Sequence, residues 1–155
     1  MAINRDFIGH TFSSDEPYEV TRGKIREFAD AVGDENPAYR SPAAARELGH
    51  PDVIAPPTFG IVAAGAASPN SPIRHPDFGL NHRMVVHGEQ KFRYRRPIRA
   101  GDVLTAQGRI AEIRDAGRNE LVRIETEIRD ADGELVCATM NVIVSRGTAA
   151  GQAGE

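Results

Sequence analysis

Residues 122–129 alternate strictly between apolar and charged: Val122, Ile124, Thr126 and Ile128 on one parity, Arg123, Glu125, Glu127 and Arg129 on the other. A helix would scatter these side chains around its circumference, whereas an extended strand sorts them onto two faces. The segment therefore demands a sheet with one face covered and one face wet. Asp132-Gly133 follows as a hairpin signal, and the next strand carries Val136, Ala138, Met140, Val142 and Val144 on one face. Earlier strands are expected at 84–96 and 103–113, with the bend between them at Arg96-Pro-Ile-Arg-Ala-Gly-Asp102.

The first half has a different period. Ile25, Phe28, Ala29 and Val32 recur at helical spacing, with Arg22, Lys24, Arg26, Glu27 and Asp30 on the other faces. Thr21 is the expected N-cap of a helix over 21–32, and Gly33 its C-terminal stop. Ser41-Pro42 opens a second, alanine-rich helix that ends at Leu48-Gly49. The stretch Thr58 to Ala67 carries no charge, so as a helix it is expected to be buried all round. An antiparallel meander after a charge-free helix implies an α+β architecture in which the sheet curls around that helix. The Pro-, Asn- and Ser-rich connection over 68–83 is long for a routine link and is expected to pack at the helix mouth as a lid. Gly147 to Glu155 reads as a disordered tail after one domain spanning 1–146.

Composition narrows the function. The 155 residues carry a net charge of −3, no tryptophan and 6% aromatics, which argues against a nucleic-acid coat or a stacking platform for single strands. No run approaches the ~20 apolar residues of a membrane helix, and Met1-Ala-Ile-Asn-Arg-Asp6 is too polar for a signal peptide, so a cytosolic protein is expected. The single Cys137 excludes an internal disulfide framework and cysteine-rich zinc modules. Dinucleotide, Walker, serine-elbow and H-E-x-x-H signatures are missing. His87-Gly-Glu89 matches half of a zinc-deaminase motif but lacks the required C-x-x-C. Metal and cofactor are therefore not expected.

One ordered set of motifs remains. Ala31-Val-Gly-Asp-Glu-Asn-Pro-Ala-Tyr39 precedes Ser41-Pro-Ala-Ala-Ala-Arg-Glu-Leu-Gly49 and then Ala55-Pro-Pro-Thr-Phe-Gly60. Taken alone, Asp34-Glu-Asn-Pro37 is a turn after a helix. Taken together, the three segments resemble the hydratase-2 motif of the MaoC-like hot-dog dehydratases and hydratases: G-D-x-N-P-x-H, a short helix ending L-G, and a proline-led central helix. Val86 to Asp102 resembles the strand and turn of the same superfamily, and the resemblance covers most of residues 5–146. It implies a hot-dog fold. It also implies a site where Asp34 and Asn36 match the aspartate and asparagine that hold and orient water on a (3R)-3-hydroxyacyl thioester. Gly60 matches the backbone N–H donor that polarises the thioester carbonyl, with Thr58 and Phe59 expected beside the substrate.

The family's histidine is replaced by Tyr39. A phenol titrating near 10 is about 0.1% ionised at pH 7, and loss of a positioned acid or base costs roughly 10²–10⁴-fold. A D-x-N-P frame without its histidine looks most like the non-catalytic chain of the heterodimeric (3R)-hydroxyacyl-ACP dehydratases, in which a sister hot dog supplies the catalytic Asp and His. That resemblance implies acyl-ACP or acyl-CoA as substrate and a catalytic hot-dog partner, or otherwise a homodimer. Two rival readings stand beside it. One is a self-sufficient homodimeric (R)-specific enoyl hydratase in which Tyr39, His82 or His87 replaces the base, and the other is a non-enzymatic acyl-binding scaffold. Gly60 is equally well read as a close-packing glycine. The basic set Lys91, Arg93, Arg95, Arg96 and Arg99 reads first as a solvated face, and second as a contact for phosphopantetheine or an acidic carrier protein.

Overall fold

In the computed structural model, which describes residues 2–149, the alternating segment lies within the longest hairpin of a six-stranded antiparallel sheet. The strands are β1 (Thr11–Ser13), β2 (Tyr18–Glu19), β3 (Val85–Tyr94), β4 (Val103–Ala116), β5 (Asn119–Arg129) and β6 (Leu135–Ser145). Their order is β1-β4-β5-β6-β3, with β2 pairing the start of β4. Among the described residues β3 is therefore an edge strand, and its outer row of backbone groups is free. Gly117 and Gly133 turn the two hairpins at φ 62° and 82°, where a side chain would be strained. Asp130 Oδ1 accepts from the Asp132 and Glu134 amides to fix the second turn.

Three α-helices among the described residues complete the fold: α1 (Arg22–Val32), α2 (Pro42–Glu47) and α3 (Gly60–Gly65). The expected caps are present. Thr21 Oγ accepts from the Lys24 amide at 3.1 Å, Gly33 ends α1 in the left-handed region, and Ser41 Oγ accepts from the Ala44 amide at 3.2 Å. α1 buries Ile25 and Ala29 and sets Phe28 edge-on against Phe59 at 5.3 Å. The sheet curls round α3 as expected for a hot dog: Phe59, Ala63 and Ala67 pack in one cluster with Leu104, Ala106, Ile128 and Cys137.

Four expectations need correction. Val32 sits on the predicted apolar stripe but is 51% exposed, because it falls in the last turn of α1, beyond the core. The central helix is shorter than 58–67, since turns at 57–59 and 66–67 flank it, and it is not enclosed all round. Thr58, Ile61 and Gly65 remain exposed in the isolated chain. The expected face of β6 loses Val136: Ala138, Met140, Val142 and Val144 do share a face, the outer one with Arg123, Glu125 and Glu127, and are only half-buried. The inner row is Cys137, Thr139, Asn141 and Ile143, and an irregularity in the β5–β6 register near Ile128 and Arg129 leaves Val136 in the core as well.

The connection over 68–83 folds into short 3₁₀ turns and is fastened rather than hinged. Phe78 is fully buried with Ile3, Ile110 and Val122, and Asn70 donates to the Ser13 carbonyl at 2.8 Å. Of the expected tail, residues 147–149 are held: the Gly147 amide donates to Asn119 and the Ala149 amide to the Arg118 carbonyl. Residues 150–155 lie outside the described residues. No helix among the described residues is long and apolar enough to cross a membrane.

Candidate functional site

The Gly33 stop turns the chain sharply after α1 and delivers Asp34, Asn36 and Tyr39 in a tight succession. Asp34 Oδ1 accepts from the Asn36 amide at 3.1 Å, and Asn36 Oδ1 accepts from the Ala38 amide at 3.0 Å. These are two consecutive Asx turns, so each side chain has one acceptor committed to shaping the loop. Arg40, which sequence reasoning passed over, clamps them. Its guanidinium donates to the Asp34 carbonyl at 2.7 Å and to the Asp30 carboxylate at 2.6 Å. The frame is thereby rigid, and it places the Tyr39 side chain, 6% exposed, toward the sheet.

Tyr39 opens on a cavity of about 370 Å³ whose apolar walls include Ile54, Pro57 and Ile98, with Tyr94, Arg95 and Arg96 opposite. Burial first, and the neighbouring Asp34 carboxylate second, push the Tyr39 phenol above its ordinary value. At neutral pH it is a hydrogen-bond donor and no base. Gly60 comes to the same place from below. Its amide is one of the unpaired donors at the start of α3, and Phe59 supplies no side-chain cap. The Tyr94 hydroxyl accepts this N–H at 3.1 Å. The candidate oxyanion donor is thus already engaged by a phenol from the same chain. A Cβ on Gly60 would stand 2.9 Å from the Tyr94 hydroxyl and 3.1 Å from the Phe92 ring, so the close-packing role of this glycine is real. Tyr94 is half-buried beside Cys137, and that burial raises its pKa strongly. The signal for Tyr94 was its parity: Phe92 and Tyr94 alternate with Lys91, Arg93 and Arg95 and so share the inner face.

The other candidates separate. Phe59 is a core residue and Thr58 is exposed; neither lines the cavity at Tyr39. His82 lies in the exposed turn before β3. His87 lies on β3 itself, seven residues or about 20 Å from Tyr94, and lines a different groove. Of the basic set, Arg96 is spent on Asp102 (2.8 Å) and Asp130 (3.1 Å), Lys91 on Glu89 (2.7 Å), and Arg99 approaches Asp102. Arg93 and Arg95 have no ion-pair partner among the described residues, and Arg95 stands at the rim of the Tyr39 cavity. No group of three or more His, Cys, Asp or Glu among the described residues is placed to hold a metal ion.

Residues 6–139 match the model of the FAS1-like dehydratase domain region. The chain belongs to this family. Full-length relatives include a UPF0336 protein of Thermobifida fusca (strain YX), 49% identical over 149 residues and covering 96% of this chain and 97% of the relative. Another, from Saccharopolyspora erythraea, is 41% identical over 155 residues, covering 100% and 99%. Among solved structures, a chain of the HadBC (3R)-hydroxyacyl-ACP dehydratase complex of Mycobacterium tuberculosis superposes with a TM-score of 0.80 at 30% identity, covering 90% of this chain and 97% of that one. The R-hydratase PhaJ1 of Pseudomonas aeruginosa superposes with a TM-score of 0.65 at 22% identity, covering 90% and 81%, a likeness of fold alone. The chain is a MaoC-like hot dog of the dehydratase family.

Proposed function

We propose that this chain is the acyl-binding member of a (3R)-3-hydroxyacyl-thioester dehydratase whose catalytic Asp and His reside in a sister hot-dog chain. Dehydration removes a proton from C2 and the hydroxyl from C3 of the thioester, leaving the enoyl thioester and water. It needs a base for the proton, an acid for the departing oxygen and a donor to the carbonyl as charge builds there. The observation that carries the reading is the pairing of Gly60 with Tyr94: the family's carbonyl donor faces a phenol, while Tyr39 stands where the family has its base. Both losses fall in one place, and the surrounding fold is intact.

Two further features support a partner. β3 leaves an open edge of ten residues, long enough to continue the sheet into a second hot dog. The neighbouring HadBC structure is itself a complex. Acyl-ACP or acyl-CoA then enters between the two chains, with Arg93 and Arg95 available to an acidic carrier.

The test is hydration of a medium-chain enoyl-CoA by the purified chain, alone and co-expressed with a hot-dog chain that keeps D-x-N-P-x-H. The expected result is turnover at least 10²-fold lower alone than in the complex. Robust turnover by the chain alone would sink the proposal in favour of the homodimeric hydratase. Failure to form any complex would favour the scaffold.

A further inference from the structure

Register arranges the inner face in rows across β3, β6 and β5. Tyr94, Cys137 and Ile128 form the first row, Phe92, Thr139 and Thr126 the second, and Gln90, Asn141 and Ile124 the third. The second and third rows floor a groove of about 220 Å³, roofed by the exposed stripe of α3 and walled by the fastened 68–83 segment. The groove is mixed: Phe12, Ile61, Ile73 and Ile124 give it an apolar lining, but polar side chains are set among them. Thr126, Thr139, Asn141, Gln90 and His87 all line it, and among the described residues their side chains make no hydrogen bond to protein. Ser71, on the opposite wall, is 5% exposed, and its Oγ has no partner among the described residues.

Magnitudes decide what such a groove accepts. Each methylene taken from water strengthens binding roughly fourfold. Each hydroxyl or amide sealed from water without a partner weakens it roughly 5- to 100-fold. An aliphatic chain lying here gains from Phe12, Ile61, Ile73 and Ile124, but it leaves two threonines, an asparagine and Ser71 without partners, and each such loss offsets one or more methylenes. A chain carrying its own oxygen keeps both contributions, because hydroxyl and amide side chains can donate to it or accept from it.

We propose that this groove selects acyl chains that bear a hydroxyl or carbonyl oxygen beyond the reacting C2–C3 unit over plain aliphatic chains of equal length. The proposal rests on the acyl-binding reading and adds the substrate class. It is tested on the full chain by titrating 5-hydroxyhexanoyl-pantetheine and hexanoyl-pantetheine, following the amide resonances of Thr126, Thr139 and Asn141. The hydroxylated probe is expected to bind at least tenfold more tightly. In the Thr126→Val, Thr139→Val double variant the two probes should come within about threefold, and Asn141→Leu, at a half-exposed position, gives the same comparison should the double variant not fold. Equal or tighter binding of hexanoyl-pantetheine to the unmodified chain overturns the proposal and leaves the acyl-binding reading standing. Binding of neither probe at the groove, by the chain alone or co-expressed with the D-x-N-P-x-H chain, overturns both.

Discussion

At the Tyr94 end of the inner face the polar groups close on one another, Gly60 on Tyr94 and Arg96 on Asp102 and Asp130. One and two rows away, Thr139 and Asn141 face a groove with their hydrogen-bonding capacity unspent. The same short helix covers both regions, presenting Gly60 to one and Ile61, Ala64 and Gly65 to the other. Under the proposed function, the difference separates the place of the chemistry from the place of the acyl chain. Both ends keep a cavity, about 370 Å³ at Tyr39 and about 220 Å³ at the groove, but at the first the Gly60 amide is taken by a phenol of the same chain, whereas at the second the polar side chains stay free. Under the proposed function, a degenerate centre need not mean a collapsed pocket.

The comparison breaks most severely at Arg96. Its guanidinium makes two bonds to Asp102, whose side chain is 6% exposed, and one to Asp130. Arg96→Met should cost about 2–3 kcal/mol, below the 3–5 typical of a fully stripped buried charge because Asp102 retains the Arg99 amide at 2.9 Å. Urea denaturation should show a lowered midpoint at unchanged slope. Amide resonances of the closed end should shift while those of the groove stay in place. A uniform shift along both ends would mean that the face is one unit.

A smaller effect is expected from Tyr94→Phe, which keeps the ring and removes the acceptor. The Gly60 amide is then a buried donor without a partner, at a cost of about 1–2 kcal/mol in the urea midpoint. The change also returns the family's carbonyl donor to service. Under the proposed function, Tyr39→His combined with Tyr94→Phe should give the lone chain more enoyl-CoA hydration than either change alone. Equal activity of the double and the single Tyr39→His variants would show that the closed end is structural packing with no bearing on chemistry.

Much of this is legible in the sequence. The caps at Thr21 and Ser41, the stop at Gly33 and the strand parity of 122–129 are local, and local chemistry decides them. The departure at Tyr39 needs only the motif. Tyr94 is harder, because its partner Gly60 lies 34 residues away and the pairing depends on how closely α3 approaches β3. The faces of β6 are hardest. Valines and methionine at 138–144 look like core by composition, yet pairing with the charged parity of β5 sends them outward and turns Thr139 and Asn141 in. Register is a property of two strands, and one strand's pattern does not contain it.

The smallest effect follows from acid. The Arg96 guanidinium, foremost, and the amides of Glu134 and Asp132 hold the Asp130 carboxyl below its ordinary value. A carboxyl with a depressed folded pKa stabilises the fold fully above its unfolded value, near 3.9, and that contribution is lost as pH falls through the folded value. The urea midpoint should thus fall below about pH 4, and Asp130→Asn should be less stable at pH 6 but flatter across the same range. The pair is partly exposed, so the change is modest. Its location carries the information, because among the described residues no ion pair joins those that floor the groove. Hydrogen exchange between pH 5 and pH 3, corrected for intrinsic rates, should accelerate first at the Arg95 amide, which bonds the Val136 carbonyl beside this cluster, and last at the amides around Asn141. The reverse order would place the acid-sensitive contacts at the groove and undo the distinction between the two ends.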